Sequence, residues 1–401
     1  MKEVVITNPL RTPNGSFGGA LKTVPAYDLA KVVMQRVIAE AGIEAGQLDE
    51  VILGNIGQQS DAANIARVAA IYAGIPFHVT AYTVQRNCAS SIQAIVSAYQ
   101  SIQDDYGELF LVGGTENMSQ IPYIIKGARW GLKLRHAELT DGLWEGLTDF
   151  TCNLIMGATA ENLAEKYSIT REAQDTYAVN SHKKAFMATR MGKLKDEIVP
   201  VEVVKKAAGQ EVAKESITQD ESINPGLTVQ KAALYPTVFK KNGSVTPANA
   251  CPMNDGGAAM LVTTAEKAAK LGLKPMGRIL GYAFAGVDPA YMGIGPAYAL
   301  PKALARAGLK YEQLDLVELN EAFAAQSLAV GIQMAQDGHG WSWEKTNVNG
   351  GAIALGHPVG QSGARIVTTL LHELKRRNGR YGAATLCVGG GQSAALIVER
   401  I

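Results

Sequence analysis

Apolar positions recur every three or four residues over 28–41 and again over 297–307, and each run stops at a glycine, Gly42 or Gly308. That spacing predicts two amphipathic helices, each closed by a residue that tolerates left-handed backbone and followed by a short apolar strand. The chain past each helix is nearly the same text. Ala41-Gly42-Ile43-Glu44-Ala45-Gly46-Gln47-Leu48-Asp49-Glu50-Val51 and Ala307-Gly308-Leu309-Lys310-Tyr311-Glu312-Gln313-Leu314-Asp315-Leu316-Val317 agree at six of eleven positions. A second echo sets Tyr106-Gly107 ahead of an apolar run at 109–114, and Tyr381-Gly382 ahead of another at 385–391. The two echoes keep nearly the same separation. A helix of the same period is expected from Ile92, Ile95, Val96 and Tyr99.

A duplicated unit in which strands and helices alternate predicts an α/β fold with mainly parallel sheets covered by helices. Residues 119–250 have no counterpart in the other half and are richer in charge, with Lys183, Lys184, Lys193, Lys195, Lys205 and Lys206 among them. They are expected to form an inserted domain whose lysines make a solvated face. The expected division is 1–118 with 251–272 for the first half, 119–250 for the insertion, and 273–401 for the second half.

Composition removes several functions. Of 401 residues, 47% are hydrophobic and 19% charged, enough to bury large cores. Lys and Arg number 38 against 37 for Asp and Glu, so no net field holds a nucleic acid or an anionic membrane surface. No run approaches the ~20 apolar residues of a membrane span. Val4-Val5-Ile6 is too short for a secretory core, so a cytoplasmic location is expected. Cys88, Cys152, Cys251 and Cys387 include no CxxC pair, and neither HExxH nor GxxxxGK[ST] occurs. Disulfide, zinc and nucleotide-phosphate chemistry lose their usual signatures. Cysteine remains, as a nucleophile or as core filler.

Three constellations could carry chemistry. Arg86-Asn87-Cys88-Ala89-Ser90-Ser91 places Cys88 at the start of the predicted helix, where unpaired N–H groups and the helix dipole would lower a thiol pKa. A buried inert cysteine fits that spacing equally well. Asn349-Gly350-Gly351-Ala352-Ile353-Ala354-Leu355-Gly356-His357-Pro358-Val359-Gly360-Gln361-Ser362-Gly363 opens a helix at Ala364 and holds His357 on a stiff turn, suited to a positioned acid or base. Ala384-Thr385-Leu386-Cys387-Val388-Gly389-Gly390-Gly391-Gln392 ends an apolar strand in three glycines. Their N–H groups could form an oxyanion hole or merely a strand-end turn.

Seven elements in order resemble the thiolase family: Asn87-Cys88-Ala89-Ser90; Met156-Gly157 with Thr159-Ala160-Glu161-Asn162; Asn254-Asp255-Gly256; Met292-Gly293-Ile294-Gly295-Pro296; Asn320-Glu321-Ala322-Phe323-Ala324; Gly356-His357-Pro358 with Gly360 and Ser362-Gly363; and Cys387-Val388-Gly389-Gly390-Gly391. The resemblance runs along essentially the whole chain. It implies duplicated α/β halves in five layers, αβαβα, with an inserted loop domain. It also implies transfer of an acyl group between Cys88 and coenzyme A, condensing two acetyl-CoA to acetoacetyl-CoA or running the reverse thiolysis.

By that resemblance Cys88 takes the acyl group as a thioester, His357 activates it, and Cys387 moves the α proton. The N–H groups of Cys88 and Gly389 would serve the tetrahedral oxyanion. His357 Nε2, with a water held by Asn320, would serve the enolate oxygen, each donor being worth roughly 3 to 4 kcal/mol. Leu147, Met156, Phe239, Ala250, Cys251, Met292, Ala322 and Phe323 are implied contacts for the acyl-CoA. No permanently bound cofactor or metal is implied, and the assembly is a homodimer or homotetramer. Bacterial biosynthetic members carry a histidine, a serine and an arginine where this chain has Ile155, Cys251 and Asn224. The catalytic set matches while the coenzyme-contacting set differs. Three other functions are possible in principle: a degradative thiolase for longer 3-ketoacyl chains, against which Met156 and Met292 would wall the pocket; a cysteine hydrolase; and a non-catalytic CoA or lipid binder. Neither of the last two needs Cys88, His357 and Cys387 together.

Overall fold

The computed structural model describes residues 2–134, 136–207 and 210–401. Nine strands lie on one hydrogen-bonded path: β1 (Val4–Arg11), β2 (Glu50–Gly54), β3 (Thr80–Val84), β4 (Leu109–Asn117), β5 (Asn254–Thr264), β6 (Pro275–Gly286), β7 (Leu316–Leu319), β8 (Tyr381–Val388) and β9 (Gln392–Arg400). Their order is β7-β8-β9-β6-β1-β5-β4-β2-β3. The halves meet where Val5, Ile6 and Thr7 pair with Arg278, Gly277 and Pro275, a short join with a register shift.

Alternate strand residues face different layers, as the two-residue period of a strand requires. Ile52, Phe110, Val112 and Met260 of the first half, with Leu386, Leu396 and Val398 of the second, pack on α3 (Ser90–Gln103) and on the helix Ser362–Arg377 through Ile92, Ile95, Ile366 and Leu370. Val51, Leu53, Leu109 and Leu111 face the other way, onto α1 (Ala26–Ala41) and α2 (Ile65–Tyr72). Val317, Ala383 and Ile397 meet α4 (Pro296–Ala307) and α5 (Ala324–Gln336). Ser362–Arg377 is α6. The order is helix, sheet, helix, sheet, helix, the five layers expected.

The expectation of mainly parallel sheets is corrected. Among the described strands, parallel pairing joins only β2 with β3, β2 with β4, and β7 with β8. In each half the last strand returns antiparallel beside its predecessor, β5 beside β4 and β9 beside β8, and the first strand of the half then pairs antiparallel with it. Helix-strand alternation does not reveal such a return. Tyr381-Gly382 also lies inside β8, whereas Tyr106-Gly107 precedes β4.

Five of the six repeated identities do the same work twice. Gly42 and Gly308 take φ of 65° and 68° to cap α1 and α4. Gln47 Oε1 accepts from Glu44 N, as Gln313 Oε1 does from Lys310 N. Asp49 Oδ2 accepts from the N–H groups of Glu108 and Leu109, and Asp315 Oδ2 from those of Arg380 and Tyr381. Leu48 and Leu314 are buried, as are Val51 and Val317. Each aspartate thereby ties the start of its own strand to the start of the neighbouring one.

Residues 118–253 lie between β4 and β5, where the other half has the glycine turn at 389–391. Buried charges fasten this segment to β1. Arg11 Nε is 2.7 Å from Glu197 Oε1 and its Nη1 is 2.7 Å from Asp220 Oδ1, with all three side chains at most 1% exposed. Burial opposes the guanidinium charge, but Asp220 and Glu197 outweigh it and raise the arginine pKa. Among the lysines expected on a solvated face, Lys183 and Lys195 are exposed, whereas Lys184 is half-buried and donates to Thr346 O. The side chains of Lys205 and Lys206 lie outside the described residues. Among the described residues no helix is long and apolar enough to cross a membrane.

Replacing Arg11 by Met strands two buried carboxylates, and unfolding in urea should register a loss of roughly 3 to 5 kcal/mol. A variant as stable as the parent would mean that water or another cation already serves Glu197 and Asp220.

Candidate active site

The Cys88 turn is built from short polar contacts between β3 and α3. Asn87 adopts left-handed backbone, φ 43°, which asparagine tolerates better than most residues. Ser90 Oγ donates to Asn87 O at 2.7 Å and accepts from Arg86 N at 2.9 Å, which closes the turn. Asn87 Nδ2 donates to Gly389 O at 2.8 Å and fastens it to the second half. The N–H groups of Gly389 and of Cys88 itself reach the thiol.

Burial pushes the Cys88 thiol up to about 11, against the pull of those two N–H groups, and Glu116 adds to the rise. This corrects the expectation of a lowered pKa. A helix start offers partial charge only, and here it is outweighed by desolvation with no cation at hand.

His357, on the turn before α6, carries no positive charge either. His357 follows Gly356, is 7% exposed, and donates its N–H to Asn254 Oδ1 at 3.0 Å. Its Nδ1 is 2.6 Å from Ser362 Oγ, whose own proton goes to Pro358 O at 2.8 Å. Nδ1 therefore carries the proton and Nε2 is the acceptor, taking a long hydrogen bond from Asn320 Nδ2 at 3.5 Å. Burial, with the charge of Arg365 nearby, lowers the His357 pKa to about 3, so the ring is neutral. Asn320 Oδ1 is buried and has no hydrogen-bond partner among the described residues.

Cys387 lies on β8 opposite Ser393 and is 1% exposed. Its pKa is raised well above the usual thiol range by burial, then by Cys88 and Cys251. Cys251 is raised by burial and by Cys88 in turn, so the three thiols are electrostatic neighbours.

A cavity of about 250 Å³ opens at Cys88. Leu147, Met156 and Gly389 line it with Ile56, Ile121, Leu143 and Val359. Another, of about 390 Å³, is lined by His182, Asn224, Leu227, Tyr235 and Ala250. A strip of chain leads from one toward the other: Ala250 bridges Phe323 antiparallel, Cys251 N donates to Ala322 O at 2.9 Å, and Phe239 meets Phe323 edge to face at 6.1 Å. Met292 lines neither cavity and is buried in the core that holds Cys387.

Gly390 and Gly391 have φ of 86° and 71°, so the turn itself requires glycine there. At Gly389 the reason is space, since a Cβ would lie 3.1 Å from Met156 Sδ.

Glu116 escaped the reading of the sequence. It is fully buried and accepts from Asn55 Nδ2 and Gly57 N on one oxygen, and from Ile56 N and Gly360 N on the other, at 2.8 to 3.1 Å. Burial raises its pKa to about 7 despite these donors. It joins β4 to the turn that carries His357. The available signal was an acid two residues past the apolar run 109–114.

A nucleophile-sized cavity, two N–H groups at a cysteine sulfur, a neutral imidazole and a second buried thiol define a site suited to carrying an acyl group on cysteine. Residues 4–266 match the family model "Thiolase, N-terminal domain" and residues 273–400 match "Thiolase, C-terminal domain". The chain belongs to the thiolase family. It is 48% identical, over the full length of both, to an acetyl-CoA acetyltransferase of Pseudomonas aeruginosa. It is also similar to the crystal structure of the Bacillus anthracis acetyl-CoA acetyltransferase, with TM-score 0.96 and 47% identity over 100% of this chain and 99% of that one. A human mitochondrial 3-ketoacyl-CoA thiolase in complex with CoA gives TM-score 0.93 and 41% identity over 100% and 98%.

A neutral His357 beside a thiol near 11 has a measurable signature. Alkylation of Cys88 by iodoacetamide should rise about tenfold per pH unit through neutrality, tracking the thiolate fraction, with no inflection near the ordinary histidine pKa. A plateau through neutral pH, lost in Cys88→Ser, would reveal a standing thiolate-imidazolium pair instead.

Proposed function

We propose that the chain condenses two acetyl-CoA to acetoacetyl-CoA and catalyses the reverse thiolysis, with Cys88 carrying the acyl group. It is an acyltransferase of the thiolase type. The observation that supports the residue assignment is the convergence of Gly389 N–H and Cys88 N–H on one sulfur, together with a neutral histidine whose Nε2 carries no proton.

In this reading His357 Nε2 takes the Cys88 proton as the sulfur attacks the thioester carbonyl, and the Ser362 contact holds the ring in the tautomer that allows it. The N–H groups at the sulfur receive the oxyanion. One thioester replaces another, so the acyl group stays reactive. The first coenzyme A leaves as a thiol with the proton of Cys387, while His357 keeps the Cys88 proton. In condensation the Cys387 thiolate so formed removes the α proton of a second acetyl-CoA. The enolate carbon attacks the acyl-Cys88 carbonyl, expelling the sulfur, which recovers its proton from His357. In thiolysis the Cys387 thiol protonates the departing enolate, and its raised pKa keeps that proton in place at rest. Asn320 Oδ1, buried and unpartnered, would hold the water that joins His357 Nε2 at the enolate oxygen.

The insertion, taken as 119–250, brings Leu147, Met156, Asn224 and Phe239, while the two halves bring Cys88, His357, Asn320, Cys387 and Gly389. Chemistry thus falls to the halves, and coenzyme contact is divided between the insertion and the halves. CoA thioesters are substrates here and no cofactor is held permanently; we place the enzyme in the cytoplasm as a homodimer or homotetramer.

A second reading, cleavage of longer 3-ketoacyl chains, is favoured by one observation. The cavity at Cys88 continues past Met156 to Ile56, Ile121, Leu143 and Val359, more apolar wall than an acetyl group covers. Filling it with Leu143→Phe should lower kcat/KM for 3-ketooctanoyl-CoA about tenfold or more relative to acetoacetyl-CoA, since overpacking of a close-fitting wall costs about 1 to 3 kcal/mol. A constant ratio would confine this enzyme to short chains.

The two cysteines separate by mass. Incubation with acetyl-CoA should leave one acetyl group on the wild-type protein and none on Cys88→Ala, whereas Cys387→Ala should still become acetylated yet fail to condense or cleave. Labelling that persists without Cys88, or vanishes with Cys387, would overturn the division of roles.

A further inference from the structure

We infer that Glu116 is a positioning residue for acyl transfer: as a carboxylate it clamps the turn of Cys88 against the turn of His357, and its protonation sets the acid limit of the reaction. This rests on the acyl-cysteine reading above and concerns how the two turns are held. Glu116 stands near the end of β4 and lines the cavity at Cys88 together with Ile56 and Gly57. One of its oxygens receives Asn55 Nδ2 at 2.9 Å and Gly57 N at 2.8 Å; the other receives Ile56 N at 3.1 Å and Gly360 N at 2.9 Å. Three of these bonds lead toward Cys88. Asn55 N donates in turn to Val84 O at 3.3 Å, at the end of β3, from which the chain enters the Cys88 turn. The fourth holds Gly360, on the turn that carries His357 and opens α6. The fit is close on both sides, since a Cβ at Gly57 would lie 2.9 Å from Glu116 Oε1 and one at Gly360 would lie 2.8 Å from Oε2.

Four donors on two oxygens specify the ionised form. A protonated carboxyl must donate, and each of these partners is itself a donor, so the proton displaces one N–H and opens the clamp on one side. Burial favours that proton and raises the carboxyl to about 7 against the pull of the four donors. Exchange between the closed and opened clamp therefore falls near neutrality. The ionisable groups around Glu116 are Cys88 and Asp149 on the cavity and Asp255 on β5. Asp149 Oδ1 is held by Thr151, Asp255 by Ser119, and Cys88 senses Glu116 as the last of four influences on its thiol. Neither Cys88, raised to about 11, nor His357, lowered to about 3, changes charge near neutrality. Glu318 is the acid to set apart: burial raises it to about 8, and its partner Arg365 acts on His357.

The test follows acetylation of Cys88 by intact mass, using the acetyl thioester of N-acetylcysteamine, which carries no phosphate to titrate. In the wild type the second-order rate should fall about tenfold from about pH 8 to about pH 6, as one ionisation is lost. Glu116→Gln keeps an acceptor for two donors and turns an NH2 toward the others. Its rate at about pH 8 should be lower by about tenfold or more, and flat across the same range. Asn55→Ala serves where the glutamine variant does not fold. Asn55 lowers the carboxyl pKa, so its removal should move the wild-type limb to higher pH. A rate with no acid limb, a limb that persists in Glu116→Gln or stays in place in Asn55→Ala, or one that vanishes in Glu318→Gln overturns the assignment. Failure of both this thioester and acetyl-CoA to label the wild type at any pH overturns the acyl-transfer reading itself, and the assignment with it.

Discussion

Two helices that must share one buried layer organise this molecule. α3 and α6 lie between the half-sheets, and their first turns are bonded to each other: Ala364 N donates to Ser91 Oγ at 2.8 Å, and Ser91 Oγ donates to Gln361 O at 3.1 Å. The approach is close enough that a Cβ at Gly363 would lie 2.8 Å from Ile92 N, and one at Gly114 would lie 2.1 Å from Gly360 O. The residues just before each helix are therefore delivered to the same place. Cys88 precedes one and His357 the other. Duplication of an α/β unit did not merely double the core; it placed two helix starts face to face, and the candidate chemistry occupies the seam.

That position explains the electrostatics. A seam between two sheets is dry, and each titratable group there shifts toward its uncharged form: the Cys88 and Cys387 thiols upward, His357 downward. The resting site holds its protons on sulfur and on Nδ1 and keeps Nε2 empty. Charge then arises only when a thioester is present to receive it, in the neighbourhood of N–H groups already oriented. A standing thiolate would have to be stabilised permanently by a buried cation, and burying such a pair gains little over neutral partners. The buried charges that do occur, such as Arg11 with Glu197 and Asp220, join the insertion to the first strand and lie in a separate network from the thiols.

The repeat was legible because its identities are local. A glycine cap, a glutamine closing a turn and an aspartate receiving two N–H groups each act within a few residues or on the adjoining strand, so a short match carries their geometry. The candidate cysteines and histidine were singled out through resemblance, because their spacing is distinctive. Glu116 was not, since its partners Asn55, Ile56, Gly57 and Gly360 are brought together only by the fold. The sign of the Cys88 shift was missed for a related reason. Proximity to a helix start can be read from one segment, whereas burial is a property of all the segments packed around it. The antiparallel return of β5 was hidden too, because the whole insertion separates it from β4.

Differences from the bacterial biosynthetic pattern fall outside the seam, and this has a physical basis. Ile155 ends the short strand Leu154–Ile155 in the insertion, Asn224 serves its own turn, and Cys251 lies on the strip between the cavities. Among the described residues no hydrogen bond joins Ile155 or Asn224 to the paired helix starts, and Cys251 reaches Cys88 only as an electrostatic neighbour. In the seam a single Cβ would collide with backbone, so substitution there disturbs both helices at once. Along the coenzyme path the contacts are with a long, flexible ligand whose charges are screened at its exposed end, and one contact can be lost while another is gained nearby. The fold therefore constrains the residues packed at the paired helix starts tightly and those along the exposed end of the insertion loosely.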